Sequence, residues 1–376
     1  MSKTTTPVVA SRAGRARVLP DHVRRQNRAL VLTTLFHEGS MSRADLARRT
    51  GLTRVTMSAL VGDLVAEGIV VEQGARESTG PGKPGVAVDI DRSGLQVVGI
   101  DLSAAHELRG AVIDLSGSMI ERTAIARPDG IDGVEIRELT ERMIDDLASR
   151  APGRILGVGV ASPGIVSGEG VVIASPNLGW ADLPLQALIA DRTGTPVSVS
   201  NDADVAALAE RTLGGAGEDF MLVKLDRGVG GGVMVRGELV RGSRFAAGEV
   251  GHVTVGTDGG RVCACGRIGC LETWASVRFL DSRIAAGEDR DVVLREAGER
   301  LSIAIAPVVG ALDLPELILS GPTEYVGGLL RESAEQTLRE RTYLRDDVSV
   351  RMSQLGDDAV LLGAMALILS TELGIA

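Results

Sequence analysis

The sequence predicts an α/β body preceded by a small helical head that closes on a β-hairpin. Three observations carry this. Capped helical periodicity fills the first two thirds of the head, short apolar strands alternate with helical stretches beyond residue 97, and the charge changes sign between the two parts. At 376 residues the chain exceeds what one hydrophobic core serves, so more than one domain is expected. The boundaries read as a disordered basic arm over 1–20, a head over 21–90 and a body over 91–376.

The arm holds Thr4-Thr5-Thr6-Pro7 with Arg12, Arg15 and Arg17 and shows no apolar periodicity. From Val23 the pattern turns helical, with Leu30, Val31, Thr34 and Leu35 at three-to-four spacing and a stop at Gly39. Ser42 caps a second helix that ends at Gly51, and Thr53 caps a third that runs to Glu67 and Gly68. Two helices joined by a tight Gly-containing turn form a helix-turn-helix, whose second member enters the DNA major groove by its N-terminal end. That end offers Thr53, Arg54, Thr56, Met57 and Ser58, and Arg43 opens the helix before it. Residues 69–72 and 86–90 alternate as two strands, and the loop between them is a wing that carries Arg76 and Lys83. A plain helical bundle is the alternative to this winged helix-turn-helix.

Charge separates head from body. Residues 1–90 hold 13 Lys and Arg against 8 Asp and Glu, and the remainder holds 27 against 42. A basic head attracts double-stranded DNA, whereas the acidic body repels it. Aromatic residues make up only 2%, which excludes stacking platforms for single strands. No apolar run approaches a membrane span, so a soluble, cytoplasmic protein with no membrane partner is expected.

The body reads as strands over 98–102, 108–114, 119–124, 155–161, 197–200, 221–225 and 317–320, with an amphipathic helix over 133–150. All three cysteines fall within Cys263-Ala264-Cys265-Gly266-Arg267-Ile268-Gly269-Cys270, and His252, one of four histidines, lies eleven positions before the first. One imidazole and three thiolates complete a tetrahedral set for one structural zinc, with no position left for water. Three free thiols beside a surface histidine are the alternative. A disulfide would leave one thiol over.

The segment Ala-Gly-Glu249-Val-Gly-His252 followed by Cys263-Ala-Cys265-Gly-Arg-Ile-Gly-Cys270-Leu-Glu272 resembles the signature of the ROK family, which groups sugar-responsive repressors with sugar kinases. Arg25-Gln26-Asn27-Arg28 and Ser42-Arg43-Ala44-Asp45-Leu46-Ala47 resemble the opening helices of its repressors. The resemblance implies a duplicated actin-like (ribonuclease H-like) body with a ligand cleft between its lobes. It also implies that Asn201, Asp202, Glu249, His252 and Glu272 contact a sugar or sugar phosphate, Asp202 being the base in kinases. His252 would then serve both metal and sugar.

The kinases' first loop, Asp-x-Gly-Gly-Thr-Lys, has become Asp101-Leu102-Ser103-Ala104-Ala105-His106. Their second is replaced by Asp226-Arg227-Gly228-Val229-Gly230-Gly231-Gly232, in which an Asp carboxylate opposes phosphate, and a later Gly-rich loop is reduced to Ser320-Gly321-Pro322. The expectation is therefore a non-enzymatic, sugar-responsive transcriptional regulator, a repressor acting as a dimer or tetramer on a DNA operator. A sugar kinase with an appended head, and a regulator controlled by a protein partner, are the rivals.

Overall fold

The computed structural model describes residues 20–75, 86–104, 106–128, 130–256, 260–343 and 348–375. The basic arm up to residue 19 and the wing residues Arg76 and Lys83 lie outside them.

The head is built from α1 (Pro20–Glu38), β1 (Met41–Ser42), α2 (Arg43–Thr50), α3 (Arg54–Ala66), β2 (Val70–Ala75) and β3 (Val86–Ile90). The Ser42 hydroxyl accepts from the Asp45 amide and the Thr53 hydroxyl from the Thr56 amide, so each cap occupies its expected place. Gly51 takes φ +72°, a left-handed turn that lets α3 leave α2 at an angle. The expected hairpin gains a third strand, since β1 pairs antiparallel with β3.

The body holds two five-stranded sheets of one topology. Lobe I contains β4 (Leu95–Asp101), β5 (Glu107–Asp114), β6 (Met119–Ala126), α4 (Gly133–Arg150), β7 (Arg154–Ser162), a small sheet of β8 (Ile165–Val166), β9 (Val172–Ser175) and β10 (Trp180–Leu183), then α5 (Leu185–Thr193), β11 (Val197–Asn201) and α6 (Asp202–Thr212). Lobe II contains β12 (Phe220–Leu225), β13 (Val229–Val235), β14 (Glu238–Leu239), α7 (Glu272–Ala275), α8 (Val277–Ala285), α9 (Arg290–Leu312), β15 (Glu316–Ser320), α10 (Thr323–Val326), α11 (Leu329–Arg341) and β16 (Ser349–Met352). The strand orders are β6-β5-β4-β7-β11 and β14-β13-β12-β15-β16. In each sheet the first three strands run antiparallel and the last two join in parallel. This repeat is the two-lobed actin-like body.

The 226–232 stretch, aligned with the kinases' second phosphate loop, is a tight turn that runs into strand β13. A Cβ at Gly232 would lie 2.7 Å from the Ala203 carbonyl oxygen, so glycine there lets the strand press against α6; one at Gly231 would lie 2.9 Å from Met221 Cε of β12.

The chain finally returns to lobe I as α12 (Ala359–Ile368), continued by a π-helical turn over Leu369–Leu373. All ten residues of α12 are buried. Leu361, Met365, Ile368, Leu369 and Leu373 join Val31, Leu32 and Leu35 of the head and Val97 and Ile113 of lobe I in one apolar cluster. Arg92 donates to the Leu35 and Phe36 carbonyls, and Arg154 to that of Glu67. The core therefore runs through the expected boundary at residue 90. No helix among the described residues is long and apolar enough to cross a membrane.

A Cβ at Gly363 would stand 2.0 Å from the Val205 carbonyl oxygen, whereas one at Gly310, inside α9, meets nothing within 4 Å. Gly363→Ala should thus cost about 1–3 kcal/mol by forcing α12 from α6. Gly310→Ala should add roughly 0.5–1 kcal/mol through lost chain entropy. Urea unfolding of the two variants checks both signs.

Candidate ligand cleft, metal cluster and nucleic-acid interface

The ends of β4, β11 and β12 converge between the lobes on a cavity of about 270 Å³. Asn201, Asp202, Glu249, His252 and Glu272, expected together from sequence, all line it. So do Ser103, Asn177, Lys224 and Arg227. Asn201 is the N-cap of α6: its Oδ1 accepts from the Ala203 and Asp204 amides at 2.8 and 3.1 Å, and its Nδ2 donates to the Gly164 carbonyl at 2.8 Å. Its carboxamide is spent on holding the loop and helix beneath the cavity. Asp202, the next residue, faces Lys224 Nζ at 3.0 Å.

Carboxylates crowd this wall. Burial pushes Glu249 up from the ordinary range, and the charges of Asp202 and Glu272 push the same way against the opposing pull of His252. Burial also pushes Asp204 up to about 7, with Arg241 opposing and Asp202 and Glu249 adding. Burial raises Asp101 as well, offset by Lys224 and by hydrogen bonds from Ser103. Several oxygen acceptors around one cavity suit a ligand with many hydroxyl donors.

Beside the cavity, one ligand atom from each of His252, Cys263, Cys265 and Cys270 lies within 4.8 Å of the others. Cys263 Sγ is 3.6 Å from His252 Nδ1, and Cys265 Sγ is 3.6 Å from Cys270 Sγ. A tetrahedral ion with sulfur ligands at 2.3 Å sets neighbouring sulfurs about 3.8 Å apart, so the donor set fits such an ion. Burial pushes the Cys263 thiol up to about 12, so a bound cation would have to hold it as thiolate. Cys263 Sγ also reaches Glu272 Oε1 at 3.5 Å, which joins the cluster to the cavity wall. A Cβ at Gly228 would come within 2.9 Å of the other Glu272 carboxylate oxygen, so glycine there admits this side chain.

On the head, Thr53, Arg54 and Ser58 are exposed at the start of α3, and Thr56 is half-buried with its hydroxyl 2.9 Å from that of Thr53. Met57 corrects the sequence reading: it is fully buried in the core with Leu60, Val61 and Leu64, where helical spacing turns its face away from solvent. Val55 replaces it on the outer face at 81% exposure, an apolar group that alternation of polar candidates had hidden. Arg43 pairs with Glu72 at 2.7 Å and so ties α2 to the wing strand.

The profile described as the ROK family matches residues 97–371. A xylose repressor of Caldicellulosiruptor bescii is 28% identical over 386 residues, covering 92% of this chain and 96% of that protein. Among solved structures, a ROK family transcriptional regulator described as a homolog of the E. coli MLC protein superposes with TM-score 0.82 at 25% identity, over 94% of this chain and 98% of its own. A ROK family glucokinase from Streptomyces griseus, in complex with glucose and AMPPNP, gives TM-score 0.62 at 25% identity, over 72% of this chain and 97% of its own.

The folded chain keeps a proton on Asp204 to about pH 7, whereas an unfolded Asp releases it near 3.8. Between these values the native state binds more protons, so this group makes stability fall as pH rises. Asp204→Asn should flatten that slope and gain most above pH 7, read from melting temperatures between pH 5 and 8.

Proposed function

The chain belongs to the ROK family, and from that premise we propose that it is a sugar-responsive DNA-binding transcriptional regulator, a repressor, rather than an enzyme. The observation that carries this is a pairing within one chain: a cavity ringed by Asp202, Glu249, His252 and Glu272, and a capped helix-turn-helix packed on the same lobe. The solved glucokinase covers 72% of this chain, and the solved regulator covers 94%. The regulator's extra span supports a role for the head.

In this reading the effector is a sugar or sugar phosphate whose hydroxyls donate to Asp202, Glu249 and Glu272. A bound sugar that lacks one such hydroxyl leaves a buried acceptor unpaired, which gives the cleft its discrimination. His252 gives Nδ1 to the metal and leaves Nε2 for the cavity it lines. The metal is one structural zinc per chain, held by His252, Cys263, Cys265 and Cys270, and it fixes the loop that carries Glu249 and Glu272. Arg54, Thr53, Thr56 and Ser58 face the operator, with Val55 suited to a thymine methyl group. Arg43, Arg76 and Lys83 are phosphate contacts in the same scheme. Two copies of the chain present two such helices to successive major grooves about 34 Å apart, and a small change in their separation releases DNA. The changed residues at Ser103, Ala104 and Asp226 support a cleft that does not transfer phosphate.

Four measurements test this. Metal analysis should return one zinc per chain, and Cys270→Ser should lose it together with several degrees of melting temperature. D-xylose and D-glucose, screened with and without Mg-ATP, should include a ligand that raises the melting temperature without ATP; saturation at about 100 times Kd adds roughly 2.7 kcal/mol. Asp202→Asn and Glu249→Ala should abolish release of operator DNA by that sugar, and Arg54→Ala should weaken DNA binding itself by about 1–3 kcal/mol. A response that requires ATP, with sugar-dependent ATP consumption, would identify a kinase instead.

A further inference from the structure

Lys224 is a buried cation at the floor of the cleft that neither the sequence reading nor the proposed function uses. It stands on β12 of lobe II, and its side chain is 12% exposed. Its ammonium donates to Ser103 Oγ at 3.1 Å and forms ion pairs with Asp202 Oδ2 at 3.0 Å and Asp226 Oδ2 at 3.5 Å. Ser103 in turn donates to Asp101 Oδ1 at 2.6 Å, which links the ammonium to a third carboxylate. Asp101, Ser103 and Asp202 belong to lobe I, whereas Lys224 and Asp226 belong to lobe II.

We propose that Lys224 is an interlobe tether and the counter-ion of Asp202, a positioning residue that fixes the carboxylate met by the effector's hydroxyls. The proposal deepens the sensor reading and rests on it for its ligand. Its charge logic stands alone. Asp101 is buried, the Asp202 side chain is 15% exposed and Asp226 stands half-exposed beside them; carboxylates so gathered repel one another, and removing their shared cation leaves the buried charge uncompensated. The ammonium supplies that compensation from the opposite lobe, so opening the cleft must break its contacts to Asp202 and Ser103. With Asp202, Ser103 and Asp226 around its ammonium, Lys224 acts on a ligand through Asp202.

The test uses the full-length protein and the variants Lys224→Met and Lys224→Met/Asp101→Asn, the second removing one buried carboxylate so that the chain folds if the first does not. Small-angle scattering without sugar should give a larger radius of gyration for the variant than for the parent. Millimolar Mn²⁺ should raise the melting temperature of Lys224→Met by a few degrees and leave the parent unmoved, because a divalent ion replaces the missing charge. With D-xylose or D-glucose, whichever the parent binds, affinity should fall at least about 10-fold at pH 8 and recover at lower pH as a proton neutralises Asp101, whose carboxyl burial pushes up. Lys224→Arg should restore part of the affinity. Unchanged scattering together with indifference to Mn²⁺ would overturn the tether, and unchanged sugar affinity and pH profile would overturn the positioning role. If the parent binds neither sugar, the sensor reading fails for these sugars, while scattering and Mn²⁺ still decide the tether.

Discussion

Helix α12 is the constraint on which the rest of the structure depends. Ten consecutive residues, Ala359 to Ile368, are buried, so the helix must be enclosed on every side. Glycines open the room. A Cβ at Gly159 would lie 2.1 Å from the Ala364 carbonyl oxygen, and one at Gly99 would lie 3.1 Å from that of Leu361. Thus β4, β7 and α6 close around one helix. Beyond it the π-helical turn carries Leu369 and Leu373 onto α1, and a Cβ at Gly374 would come within 2.7 Å of Ala29. The head is consequently an extension of the lobe I core.

That continuity bears on regulation. Asp202 opens α6, α6 packs on α12, and α12 leads into the turn against α1. Under the proposed function, a ligand shifts DNA binding only by its differential affinity for two arrangements of this packed set, typically about 1–3 kcal/mol. A close-packed core transmits such shifts because it changes between discrete packings rather than deforming smoothly.

The cleft is governed by charge. Asp202, Glu249 and Glu272 line its walls, Asp101 lies buried behind Ser103, and Lys224 answers Asp202 and Asp101 from the opposite lobe. The metal cluster shapes the same wall by chain geometry, because it gathers His252 with three cysteines that lie 11 to 18 residues along the chain. Burial alone opposes ionisation of Glu249 and Cys263, so both kinds of acidic group call for nearby cations or hydrogen-bond donors.

Local chemistry was legible in the sequence. Ser42 and Thr53 cap helices because a short hydroxyl satisfies exposed amides wherever a helix begins, and the cysteines clustered after His252 mark a donor set that could hold a metal ion. The five cavity residues were legible through family resemblance, which stores geometry that single residues lack. Contacts between distant segments were not legible. Met57 reads as a recognition residue until the helix is rotated into its core, and the need for glycine at 232 shows only when α6 is laid against it. Lys224 looks like an ordinary alternating strand residue, and only the meeting of two lobes turns it inward onto Asp202 and Ser103. The sequence by itself determined the caps, the candidate metal donors and seven of the body's strands, because these depend on neighbours within a few residues or on a repeated pattern. The tertiary structure decided which faces are buried and which charges meet, because burial and Coulomb energy depend on distances that chain order does not contain.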